Sequence, residues 1–224
     1  MLLLAIDTSG RHGSVALCRG NAHSFETLQL TRLEGGTYSA RLMPTIAAML
    51  QQNNLAMADL DAFAVVSGPG SFTGLRVGLA TIKGLCEVLQ KPLATVSMLE
   101  ALAIVNGSAG NDVTAILDAG RSEIYVGEYR ILPTAAARVR EFIVKLGDFD
   151  AAASSGELLT PDGPIENCLR EKGADVRLVA PLQADEIGRI GIRKLLAGEV
   201  ADHATVDVNY IRRSDAEIFS APKR

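Results

Sequence analysis

The sequence predicts an α/β protein of two lobes, the first with element order βββαβαβ and the second a reduced copy. Three observations carry this reading. Short apolar runs at the N-terminus, broken by polar turns, mark hairpin-connected strands. Apolar spacing then switches to a helical period over 37–53 and 75–89, with a further apolar run after each helix. Finally, 48% of the 224 residues are hydrophobic but only 4% aromatic, so Leu, Ile, Val and Ala must fill a sizeable core.

The elements follow in order. Residues 2–6 are continuously apolar and end in Asp7-Thr8-Ser9-Gly10, a buried strand running into a polar turn. Ser14–Leu17 and Ser24–Leu30 continue as two more strands. From Thr37 to Asn53 the residues Leu42, Ile46, Met49 and Leu50 mark one helix face, widened by Met43 and Ala47. Pro44 predicts a bend there or a start just before it. Asp59–Val66 reads as a core strand stopped by Gly68-Pro69-Gly70, and Leu75–Leu89 as a helix ended by Lys91-Pro92. Leu93–Val96 is a further strand, and Ser97–Val105 a helix. In the second half, 113–117, 124–129 and 139–144 read as strands, 147–164 as loops around at most one short helix, and 185–196 as a helix capped by Gly198.

Three hairpin-connected strands followed by helical crossovers resemble one lobe of the actin/Hsp70/RNase H-like (ASKHA) superfamily. Under that plan residues 1–97 form an N-terminal lobe carrying the docking helices, and 98–224 a smaller C-terminal lobe.

The most informative stretch is Val65–Leu85. Gly68 and Gly70 permit a tight turn after a strand. Ser71 or Thr73 can cap the arriving helix, whose free N–H groups and partial positive charge suit a phosphate. Yet G-x-x-x-x-G-K-[ST] is absent, since Lys83 precedes Gly84, and G-x-S-x-G does not fit around Ser71. Gly74, Gly78 and Ile82 lie four residues apart, as do Ala80 and Gly84. Small residues at that spacing open a groove for a second helix, within this chain or on another. The segment is therefore expected to build a docking surface, not a self-sufficient catalytic site.

Composition narrows the function classes. The formal net charge of −4 argues against binding nucleic acid through bulk phosphate neutralisation, so any RNA would have to be held by a local patch or by a partner. Cys18, Cys86 and Cys168 form no C-x-x-C pair. His12, His23 and His203 never fall at i, i+3 or i, i+4, so no metal site is expected. There is neither a signal-peptide pattern nor an apolar stretch of membrane-spanning length, and the expected address is cytoplasmic.

Three runs then become recognisable: Leu4-Ala-Ile-Asp-Thr-Ser9, Ser67-Gly-Pro-Gly-Ser-Phe-Thr-Gly-Leu-Arg-Val-Gly78, and Asn209-Tyr-Ile-Arg-Arg213 with Ala216-Glu217. Together they resemble the TsaB (YeaZ) family, over nearly the whole chain. The resemblance implies a role in bacterial synthesis of threonylcarbamoyladenosine (t6A) at position 37 of tRNA, as the non-catalytic partner of the related TsaD subunit. TsaD carries an H-x-x-x-H metal pair in V-H-H-M-E-G-H. Laid on Val96–Leu102, that pair falls on Met98 and Leu102, neither of which can replace imidazole. The family also often has a His where Tyr38 stands here, in Tyr38-Ser-Ala-Arg-Leu-Met-Pro44.

The resemblance further implies pairing with TsaD through the first-lobe helices, joining of a TsaE-like ATPase, homodimerisation when alone, and ATP or ADP held at the junction of the assembled complex, with no intrinsic cofactor. The expected interface residues are Leu42, Ile46, Leu50, Gly74, Arg76, Gly78 and Ile82. A vestigial nucleotide site is expected at Asp7, Thr8, Ser9, Gly70 and Ser71. The rival reading is a nucleotide-dependent ATPase or kinase-like enzyme using Asp7 and the 67–73 turn. A metallopeptidase is disfavoured by the lost H-x-x-x-H. With the acidic balance, contact with the tRNA that the resemblance implies is expected to be indirect or weak, and Arg212 and Arg213 leave it open.

Overall fold

The structure is a computed structural model that describes residues 1–209 and Ile211. The pair Arg212 and Arg213, and Ala216-Glu217 of the C-terminal motif, lie outside the described residues.

The first sheet has strand order β3-β2-β1-β4-β5. Its strands are β1 (Leu2–Asp7), β2 (His12–Gly20), β3 (Phe25–Glu34), β4 (Ala62–Gly68) and β5 (Leu93–Ser97). β1 is buried along its whole length because it lies between two neighbours, antiparallel to β2 and parallel to β4. That explains its unbroken apolar run where an exposed strand would alternate. Helix α1 (Tyr38–Gln52) begins at Tyr38 and runs through Pro44, while α2 (Phe72–Leu89) follows β4. The order βββαβαβ is the one expected.

The second sheet repeats the pattern, in order β10-β9-β6-β7-β8. Its strands are β6 (Asp112–Gly120), β7 (Glu123–Ile131), β8 (Ala136–Lys145), β9 (Glu157–Thr160) and β10 (Val176–Leu178). Again three antiparallel strands come first, and the next two add in parallel. The lobe is reduced in one respect: between β8 and β9 stands a single 3-10 turn, Ala151–Ala153, where the first lobe has α1. β9, β10 and α4 (Gly163–Glu171) add to what the sequence pattern suggested for this half. This doubled topology is the actin/Hsp70/RNase H-like architecture.

The lobes exchange helices. α3 (Met98–Asn106) leaves β5 and packs against β6 and β7 of the second sheet. α5 (Ala184–Leu196) returns to lie across β1, β2, β4 and β5 of the first. Gly188 and Gly191 allow this approach, since a Cβ on either would sit under 3.0 Å from Cys18 Sγ or from Ala64 Cβ. The chain then continues along the first lobe, Ala201 bridging to Leu93. A split at residue 97 separates the two sheets, but the chain from 184 to 209 belongs physically with the first. Among the described residues no helix is long and apolar enough to cross a membrane.

Candidate functional site

The two lobes enclose a cleft of about 840 Å³. One wall is the β1–β2 turn (Ser9, Gly10, Arg11) and the loop into α2 (Pro69, Gly70, Ser71, Thr73); Leu117, Asp118, Tyr125 and Asp162 face them from the second lobe. Ser71 caps α2, its hydroxyl accepting from the Gly74 N–H at 3.4 Å. The Ser71 N–H donates to the Ser9 carbonyl at 2.6 Å, tying the two loops together. Gly70 is required there, because a Cβ would collide with the Ser9 carbonyl oxygen. The wall therefore presents a helix N-terminus, the hydroxyl residues Ser9, Ser71 and Thr73, and Arg11, a surface suited to an anion. Opposite, Asp162 accepts from the Asp118 N–H at 3.0 Å. Burial pushes the Asp162 carboxyl up, the Asp118 N–H partly offsets this, and the Asp118 charge adds to it.

Two of the five residues expected at a nucleotide do not line this cleft. Asp7 is 3% exposed and folds back on its own turn, accepting from Ser9 N–H at 2.8 Å and Ser9 Oγ at 2.6 Å. Burial raises its carboxyl above the usual range, against the pull of the Ser9 bonds. Thr8 turns the other way and donates from Oγ1 to the Gly74 carbonyl at 2.7 Å. Ser9, Gly70 and Ser71 do face the cleft. Tyr38 closes its rim, its hydroxyl donating to the Gly10 carbonyl at 2.9 Å. Desolvation by burial, with Asp7 nearby, lifts that phenol to about 12.

The expected interface residues need correction. Leu42, Ile46, Leu50 and Ile82 are 4% exposed or less and fill the core of this chain. Gly74 and Gly78 face inward as well. A Cβ on Gly74 would strike the Thr8 carbonyl, and one on Gly78 the Thr8 hydroxyl. They set the approach of α2 to the β1–β2 turn, not to another molecule. The outward row of α2 is Phe72, Arg76, Ala80, Gly84 and Val88, spaced four apart, all exposed. The Arg76 guanidinium stacks 3.7 Å from the Phe72 ring centroid. A Cβ at Gly84 would meet nothing within 4 Å. Beside it, α1 exposes Ala40, Met43, Pro44, Ala47 and Ala48. Of the two small-residue pairs visible in the sequence, Ala80 and Gly84 are the ones a partner can reach.

Met98 and Leu102, at the positions of the TsaD metal pair, are 7% and 1% exposed and pack into the two cores. Among the described residues no group of three or more His, Cys, Asp or Glu side chains converges.

With this geometry in view, the family model described as "TsaD: tRNA N6-adenosine threonylcarbamoyltransferase" matches residues 32–193. The chain belongs to that family. Within it the chain is similar to proteins named tRNA threonylcarbamoyladenosine biosynthesis protein TsaB. It is 35% identical over 130 residues to the one from Bacillus subtilis (strain 168), covering 58% of this chain and 56% of the relative. To that of Escherichia coli (strain K12) it is 33% identical over 135 residues, covering 58% and 55%. The chain thus spans about half the length of the curated relatives it matches. A solved structure described as YeaZ from Pseudomonas aeruginosa superposes with a TM-score of 0.72 at 25% identity, covering 91% of this chain and 96% of that one. A second, an uncharacterised protein with similarity to peptidase YEAZ from the same organism, gives 0.73 at 27%, covering 94% and 99%. Those curated relatives carry names that belong to tRNA threonylcarbamoyladenosine biosynthesis.

Proposed function

We propose that the chain is a non-catalytic, activating subunit of a tRNA threonylcarbamoyl transferase, and that it binds a TsaD-like catalytic subunit through the outward faces of α1 and α2. The observation that carries this is the exposed row Phe72, Arg76, Ala80, Gly84 and Val88, with Val88 80% exposed beside the apolar face of α1. Small residues at its centre admit a helix from another chain, and exposed apolar side chains at its ends supply area to bury. The same exposed apolar face could also pair with a second copy, as a homodimer of the isolated chain. A TsaE-like ATPase then joins, and the complex works in the cytoplasm. The non-catalytic assignment rests on Met98 and Leu102, which offer no imidazole where the catalytic relatives hold metal.

A second reading, nucleotide binding, is favoured by the cleft alone. The α2 N-terminus, Ser71, Thr73 and Arg11 suit phosphates, and Gly70 lets the backbone come close. Asp7 faces away, so only the phosphate-binding half of an ATPase site fits. ATP or ADP would be held here, or at the junction with the partner, without turnover by this chain.

The test is reconstitution of t6A formation from purified TsaD- and TsaE-like subunits with and without this chain. Modification that depends on the chain, with no hydrolysis of ATP by the chain alone, is the expected result. Full modification in its absence would overturn the proposal.

A further inference from the structure

Outside the cleft, the lobes meet at a polar knot around Glu141 of β8. Its side chain is 6% exposed. One carboxylate oxygen accepts from Ser97 Oγ, at the crossover between lobes, at 2.9 Å, and from the Tyr129 hydroxyl. The other accepts from Asn209 Nδ2 at 3.2 Å, with Arg138 3.7 Å away. Burial, and then the Glu141 charge, push the Tyr129 phenol far above its usual range, so it stays protonated and donates.

Asn209 lies on a strap, residues 201–209, whose other described hydrogen bonds stay within the strap or reach the first lobe, while Ile211 just beyond it packs against a core of the second lobe. Ala201 pairs with Leu93, and the Lys83 ammonium of α2 donates to the Val206 carbonyl at 2.9 Å. The Asn209 N–H donates to the Ser67 carbonyl at 2.8 Å. Its own carbonyl oxygen fills the space beside Gly68, 2.8 Å from where a Cβ would stand, and Gly68 has φ +133°. Ser67 and Gly68 lead directly into Pro69, Gly70 and Ser71 of the cleft wall. A buried carboxylate with donors from three separate stretches of chain holds its geometry well, since losing it strands each donor.

We propose that Glu141 is a latch: its carboxylate pins the C-terminal strap to the second lobe, and the pinned strap braces the Pro69–Ser71 wall of the cleft from behind. Glu141 thereby acts as a positioning residue for whatever occupies the cleft, through Asn209, while lying outside the cleft itself.

The test is amide hydrogen exchange, read by NMR on the full chain, for the parent, Glu141→Ala and Asn209→Ala. The expected result is exchange at least tenfold faster at residue 209 and at Ser71, whose N–H is held by Ser9, with Val65 and Val126 in the two sheets unchanged. Asn209→Ala leaves Ser97 and Tyr129 bonded to Glu141, and decides the matter if Glu141→Ala does not fold. Unchanged exchange at Ser71 overturns the proposal, whether or not residue 209 loosens. So does an equal acceleration at Val65 and Val126, which would mark general loss of stability and not release of a strap.

Discussion

Thr8 Oγ1 donates a 2.7 Å hydrogen bond to the Gly74 carbonyl, and the same hydroxyl occupies the space a Cβ on Gly78 would need. The turn after β1 and the first turns of α2 are therefore one packed unit. A side chain at Gly78 must push α2 off the sheet. Gly78→Leu is expected to destabilise the isolated chain by about 3 kcal/mol or more, the upper range for overpacking. Gly78→Ala should show a smaller loss in the same direction, and Thr8→Val about 1 kcal/mol for the lost hydrogen bond. Denaturant melts of the three variants check this. A Gly78→Leu chain as stable as the parent would show that α2 can shift freely.

The sequence spacing disclosed both small-residue pairs on α2 but not which faces in. Rotation of a helix about its axis is set by what it packs against, here Thr8, seventy residues away in sequence. The α1 stripe was legible because Leu42, Ile46, Met49 and Leu50 repeat at helical spacing, yet that stripe is what the core consumes. Asp7 was legible as a turn residue from D-T-S-G, though not its inward orientation. β9 and β10 span four and three residues, too short for alternation to register. The return of α5 to the first sheet depends on Gly188 and Gly191 meeting Cys18 and Ala64, contacts no local pattern announces.

The docking face makes a separable prediction. Gly84 is exposed, with open space around it. Gly84→Arg should leave the chain at least as stable, because an interior glycine costs a helix about 1 kcal/mol relative to better formers. The same change puts a long charged side chain at the centre of the outward row. Affinity for the TsaD-like subunit, measured by calorimetry, is expected to fall at least tenfold while the melting temperature holds or rises. Unchanged affinity would move the interface elsewhere.

Asp7 separates the two functional readings. Burial holds its folded carboxyl above the ordinary carboxylate value of 3.8. The stability it lends is full below that value and declines as pH rises through the folded value, beyond which a buried charge must be carried. Asp7→Asn keeps an oxygen for both Ser9 bonds and removes the charge. Its melting temperature is expected to equal or exceed the parent's at pH 7, with the two converging near pH 4. Asp7→Ala strands the Ser9 donors and should cost about 1–3 kcal/mol. If instead Asp7→Asn abolished a magnesium-dependent ATPase activity of the isolated chain, the enzyme reading would stand.

The buried thiols predict alkaline behaviour. Burial lifts Cys86 to about 11 from 9.0. Cys18 rises to about 12, chiefly by burial, with Asp185 adding to it and Arg189 opposing. The folded chain thus holds protons that the unfolded chain releases. Stability is full below about pH 9, where unfolded thiols remain protonated, and falls as pH rises from there through 11 to 12. Tyr38, at about 12 against 10.0, steepens the fall. A chain with both Cys18→Ala and Cys86→Ala should lose stability less steeply above pH 9, by two protons' worth of slope in denaturant melts. At pH 8 the same burial withholds the reactive thiolate. Ellman's reagent should then titrate the half-buried Cys168 quickly in the native chain, and all three thiols only after unfolding. Rapid reaction of three thiols in the native state would show that α5 and α2 open far more often than their packing implies.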